Sequence, residues 1–154
     1  MAGCEWDIVK MKASAEYVPV PAPMEVMLPK TVRIHPFTGA RSFGEGGMTG
    51  MDVRIEVLDA WGDSTKAFGK FRFELYDWVN TNREHKGERL AVWNVDVEDP
   101  KVNRRHWDGI QRTYSFKLGW KNQINVGKEF VLTAYFETNY GPRLSDEHVF
   151  ISGE

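Results

Sequence analysis

From Thr31 onward the chain alternates between apolar and polar positions with a period of two. Val32 and Ile34 share one face of Thr31–His35, and Val53, Ile55 and Val57 share one face of Asp52–Val57. Phe71, Phe73 and Leu75 repeat the pattern, followed by Tyr114, Phe116, Leu118 and Trp120, then Phe130, Leu132, Ala134 and Phe136. Trp93, Val95 and Val97 form a weaker set, and Val149 with Ile151 closes the series. Successive side chains of a strand point to opposite faces, so this rhythm predicts half-buried antiparallel strands.

Turn-forming residues fall between these runs, at 44–50, 61–64, 80–87, 99–100, 122–127 and 139–142. Short strands punctuated in this way predict an all-β, antiparallel immunoglobulin-like β-sandwich of about seven to nine strands. The Gly-rich stretch at 44–50 reads as a mobile connection. Val102–Ile110 is the one place for a helical turn, with Asn103 as its cap and Gly109 as its stop.

The start of the chain is different. Tyr17-Val18-Pro19-Val20-Pro21-Ala22-Pro23, with Pro29 beyond, lacks the donors a central strand requires and favours an extended polyproline spacer. Met24–Leu28 also reads as an edge strand, since edges tolerate proline. The expected division is a Pro-rich N-terminal tether over 1–29 and a sandwich domain over 30–154.

Composition narrows the function. With 154 residues the chain has the length of one domain and needs neither disulfide nor metal to hold a core. Its net charge is −2 and its Lys and Arg are scattered, so it offers no electrostatic footprint for nucleic acid. Aromatics reach 13%, which reads either as a large aromatic core or as a core with some of the six Trp on a binding face. Trp93 and Trp120 fit the inward pattern, whereas Trp6, Trp61, Trp78 and Trp107 fall outside it. Trp61, Trp78 and Trp107 are candidates for stacking sugar rings; the alternative is that they cover the ends of the core.

No nucleophile elbow accompanies the four histidines, His35, His85, His106 and His148, and no His or Cys pair has zinc spacing. The expectation is therefore a protein that is not an enzyme. Carboxylates at strand ends form the better metal candidate: Asp59, Asp63, Asp96, Glu98 and Asp99, with Asp77 and Asp108 nearby. Calcium takes six to eight hard oxygens from such loops, but carboxylates also cap ordinary turns. The set resembles the calcium-binding loops of C2 domains, with the dense Asp-x-Asp run reduced to Asp96-Val97-Glu98-Asp99.

Two further resemblances concern context. Ala2-Gly3-Cys4 resembles the end of a bacterial lipobox, with Met1 where that pattern has Leu. The resemblance implies an apolar signal ahead of Ala2, lipid on Cys4 and a place in the bacterial cell envelope, with the membrane met only through the anchor. Val57-Leu58-Asp59-Ala60-Trp61-Gly62-Asp63-Ser64-Thr65-Lys66-Ala67 resembles a hairpin of transthyretin-like and bacterial immunoglobulin-like domains. It implies an adhesive or spacer module with a protein or glycan partner. The leading expectation is thus a lipid-anchored, non-catalytic binding or spacer module. A carbohydrate-binding sandwich and a calcium-dependent C2-like domain are the alternatives.

Overall fold

The computed structural model describes residues 16–43, 48–121 and 125–153. Their strands are β1 (Thr31–Ile34), β2 (Gly39–Phe43), β3 (Met48–Leu58), β4 (Lys70–Trp78), β5 (Lys86–Asp96), β6 (Trp107–Asp108), β7 (Thr113–Trp120), β8 (Glu129–Thr138) and β9 (Gly141–Ile151). One sheet has the order β1-β3-β7-β6, with β2 continuing along the edge of β3 that β1 occupies; the other has the order β5-β4-β8-β9. In strand letters these are A-B-E-D and C′-C-F-G, the immunoglobulin-like arrangement with an added C′ strand. All pairings are antiparallel.

The alternation seen in sequence fills the space between the sheets. Met51, Val53, Ile55 and Val57 of β3 are fully buried, as are Tyr114 and Phe116 of β7. The second sheet supplies Phe71, Phe73, Leu75, Phe130, Leu132 and Phe136. Phe71 bridges the layers: its ring lies 5.0 Å from Phe136 in its own sheet, and 5.1 Å from Phe116 and 5.7 Å from Tyr114 in the opposite one. Offset and tilted rings at this spacing add to what their buried area contributes.

The sides of the sandwich are closed by specific bonds. Trp93 on β5 donates its indole N–H to the Gly119 carbonyl of β7 at 2.9 Å. At the other side the Ile34 N–H of β1 donates to an Asp146 carboxylate oxygen of β9 at 2.7 Å. Gly69, where the chain enters β4, admits no side chain, because a Cβ there would lie 2.2 Å from the Glu137 carbonyl oxygen.

Several local expectations change. Met24–Met27 is a single 3-10 turn, not an edge strand, closing with the Met24 and Val26 N–H groups on the Pro21 and Pro23 carbonyls. The helix runs over Pro100–His106 and its cap is Asp99, whose carboxylate accepts from the Lys101 N–H at 2.7 Å. Pro100 explains the shift, because its fixed φ and missing N–H suit the first helical position. Asn103 instead lies inside the helix and bonds inward. Val57–Ala67 folds back on itself, with Leu58 bridged antiparallel to Ser64 and the Thr65 N–H on the Val57 carbonyl. This small hairpin lies within the β3–β4 crossover that carries the chain from one sheet to the other. β2 was not legible in the sequence, and β9 begins at Gly141, inside a stretch that reads as turn. Residues 44–47 of the Gly-rich stretch, Trp6 and Cys4 lie outside the described residues.

The leader lies against the domain from Val18 onward. The Val18 N–H donates to the Asn139 carbonyl at 2.9 Å, in the turn between β8 and β9. The Ala60 N–H, just past β3, donates to Val26 at 3.3 Å. This leader end, where β3, β5 and β8 finish, is opposite the far end that carries the β4–β5 loop.

Candidate ligand face

Because Phe71, Phe73 and Leu75 point into the core, Lys70, Arg72, Glu74 and Tyr76 point out of the second sheet. The register then sets their neighbours. One row across the sheet reads Asn94–Arg72–Tyr135–Ser145, and the next reads Val92–Glu74–Thr133–Glu147. Lys70 sits between Asp96 and Glu137 at the leader end of the same face.

Glu74 is the unusual member. It stands on a solvent-side face yet is only 7% exposed. Its carboxylate accepts from Arg72 Nε at 2.7 Å and from the Tyr76 hydroxyl, and Arg89 lies 3.7 Å away. A charge this buried requires partners, and these supply them. Burial pushes the Glu74 pKa up, but the Tyr76 and Arg72 hydrogen bonds and the charges of Arg72 and Arg89 outweigh it and hold it below the usual carboxylate value. Burial first, and the neighbouring Glu74 carboxylate second, push the Tyr76 phenol up to about 12. Thr133, directly opposite Glu74, is 1% exposed and its hydroxyl has no hydrogen-bond partner.

Beside Glu74 the surface sinks into a depression of about 720 Å³, lined by Lys70, Arg72, Asn94, Asp96, Tyr135, Glu137 and Arg143 as well as Glu74. The Arg143 guanidinium lies 4.0 Å over the Tyr135 ring and 3.6 Å from Glu137, while Lys70 stands 4.0 Å from Asp96. The lining therefore pairs three cations with three carboxylates and adds an amide and a phenol. Such a surface can donate and accept hydrogen bonds in several directions without favouring ligand charge of either sign.

The side chains singled out from sequence go elsewhere. Trp61 is 71% exposed in the β3–β4 crossover, and Trp107 is half-buried, edge-on to Tyr114 at 5.1 Å. Trp78 stands at the far end of the sandwich, stacked on His85 with ring centroids 5.0 Å apart. The three do not form one stacking platform. Asp59 accepts from the Trp61 and Asp63 N–H groups, Asp96 from the Glu98 N–H and Asp99 from the Lys101 N–H. Each thus closes its own turn, and among the described residues no three of His, Cys, Asp or Glu gather closely enough to hold a metal ion. Sequence reasoning missed Arg72, Glu74, Asn94, Tyr135 and Arg143. The alternation marks most of them as outward-facing, but nothing local shows that they are neighbours.

Two titrations should shape stability. His148, on β9, has its pKa lowered by burial, with Asp146 pulling the other way. The unfolded chain therefore binds a proton first, so stability is full above the ordinary value of 6.5 and falls as pH drops from there toward the folded value. Glu74 acts lower: its contribution is present above 4.5 and is lost as pH falls through its depressed folded pKa. Urea midpoints measured against pH should show both limbs, with His148→Leu removing only the upper one. An unchanged upper limb in that variant would assign it to another group.

No protein-family model, curated protein or solved structure matches the chain.

Proposed function

We propose that this domain is a non-catalytic binding module of a bacterial cell envelope, tethered by lipid on Cys4, with the outer face of the β5-β4-β8-β9 sheet as its ligand surface. The observation that carries the reading is the buried Glu74 on that face. Its carboxylate fixes the Arg72 and Tyr76 side chains from beneath, so these groups stand oriented before any ligand arrives. Preorganised polar groups bind with less ordering cost than mobile ones.

The balance of three cations and three carboxylates in the depression favours a neutral, hydroxyl-rich ligand, which makes a glycan the best fit of chemistry to surface. A strongly anionic or cationic ligand would be repelled by half the lining. On this reading sugar recognition would fall to Arg72, Asn94 and Tyr135 instead of to Trp61, Trp78 and Trp107.

Calorimetric titration with neutral oligosaccharides, beginning with chitotetraose and cellotetraose, tests the reading. Saturable binding should weaken by about tenfold in Asn94→Ala and in Arg72→Ala, as for loss of one good hydrogen bond, and persist in Trp61→Ala. Binding lost in Trp61→Ala but kept in Asn94→Ala would move the site to the loops, and no binding across a broad panel would sink the glycan reading. The anchor has its own test: labelled palmitate should attach to the full-length gene product in cells and vanish on Cys4→Ala.

A further inference from the structure

Exposed apolar side chains crowd onto one end of the molecule. Of the eleven large hydrophobics that stay exposed among the described residues, seven lie at the leader end, so an even scatter does not describe them. The most prominent are Ile110 at 96% exposure, Trp61 at 71%, and Met24 and Met27 at 61% each. They come from three separate segments that are bonded together. Ala60 N–H donates to Val26, the Thr65 hydroxyl donates to the Met27 carbonyl at 3.0 Å, and an Arg112 guanidinium N–H donates to the Ser64 carbonyl at 2.9 Å. The tips are held by these bonds while their apolar groups stay in water, an arrangement that marks an interaction surface.

The position of the leader says what covers it. The Val18–Asn139 hydrogen bond fixes the incoming chain at this same end. Cys4 lies 14 residues before Val18, so a lipid on it is at most ~50 Å away along the extended chain. We propose that the leader end is a membrane-contact tip, with Trp61, Met24, Met27 and Ile110 entering the interfacial zone of a lipid bilayer. Trp is suited to that zone because its ring is apolar and its N–H is polar. The tip would add a protein contact beside the lipid, so that membrane affinity draws on two sources. The inference rests on the lipid-anchored reading for the direction the end faces, and adds a protein surface to an anchor otherwise made of lipid alone.

Charge does not drive the contact. Glu25, Asp59, Asp63 and Asp108 accompany Lys30, Lys66 and Arg112 on these segments, so the tip carries no excess of positive charge to attract anionic lipid. Binding should therefore be insensitive to anionic lipid and to salt, which screens charge attraction but leaves apolar burial in place.

The test uses the full chain carrying Cys4→Ala, so that no acyl chain contributes, floated with vesicles of phosphatidylcholine alone or mixed with phosphatidylglycerol. The protein should float with both, in low and high salt, and Trp61→Ser with Ile110→Ser should lower the partition coefficient by about tenfold or more. Val126→Ser, an exposed apolar position at the far end, should change nothing. Thermal unfolding of each variant checks that the sandwich is intact. No flotation, flotation abolished by salt, or equal loss in Val126→Ser would each overturn the tip. Flotation without palmitate labelling of Cys4 would retain the tip and remove the anchor.

Discussion

Phe71→Ala should lower the unfolding free energy by about 3–5 kcal/mol, measured by urea denaturation followed through tryptophan fluorescence. The ring is 1% exposed and meets Phe73 and Phe136 within its own sheet and Tyr114 and Phe116 across the core. Truncation loses the transfer energy of the ring and leaves a cavity whose walls belong to two hydrogen-bonded sheets. Those walls cannot collapse without breaking register, so the cost should sit high in the range. A domain of this size has a total stability of about 5–15 kcal/mol, so the variant should be marginal at 37 °C. Phe71→Leu keeps most of the volume and should cost about 1–2 kcal/mol. A loss below about 1 kcal/mol for the alanine variant would mean that the two sheets do not meet on this ring.

The second large effect belongs to a polar side chain. Asn103→Ala should cost roughly 2–4 kcal/mol, because it strips partners from several buried groups at once. The Asn103 amide donates to the Ala67 carbonyl at 2.6 Å and to the Val97 carbonyl at 2.8 Å. Its oxygen accepts from the Tyr114 hydroxyl at 2.8 Å, and that hydroxyl accepts from the Ala67 N–H at 2.9 Å. The network ties helix Pro100–His106, the β3–β4 crossover and β7 into one unit at the leader end. Tyr114→Phe should cost about 1–3 kcal/mol by orphaning the Ala67 N–H. The double variant should lose less than the sum, with a coupling of about 0.5–3 kcal/mol, since the two side chains share a bond. Additive losses would show that they act separately.

The two parts of the network differ in how much the sequence reveals. Tyr114 is visible as an inward position on an alternating strand. Asn103 reads as a helix cap, which is the commonest local use of Asn. Its actual role arises because Asp99 and Pro100 already start the helix, freeing Asn103 to bond across the core. The same split runs through the strands. Central strands β3, β4, β7 and β8 alternate plainly because one face of each is buried along its length. Edge strand β9 turns Leu144, Asp146, His148 and Phe150 to the same side, and Asp146 is there to accept from β1. A polar group serving the neighbouring edge breaks the apolar rhythm, so the strand is hard to read. β2 is missed for a related reason: Gly-Ala-Arg-Ser-Phe pairs with half of β3 but shows no alternation of its own.

The aromatic residues show the limit most clearly. Trp61 and Trp107 are both non-periodic in sequence, yet one is 71% exposed and the other packs against Tyr114. The ligand face has the same character, since Arg72 and Tyr135 are neighbours only because β4 pairs with β8 in one register. By itself the sequence determined the class of fold and the lining of its core except on β9, where Val149 and Ile151 are exposed and Phe150 is buried instead. The reason is that alternation is a local consequence of the pleated backbone and survives in any strand with one buried face. Which strands adjoin, which outward side chains meet as a surface and which end the leader shares were decided only by the tertiary structure. Those relations depend on crossovers between sheets, where residues distant in the chain are brought together by burial of a common core rather than by any pattern within a single strand.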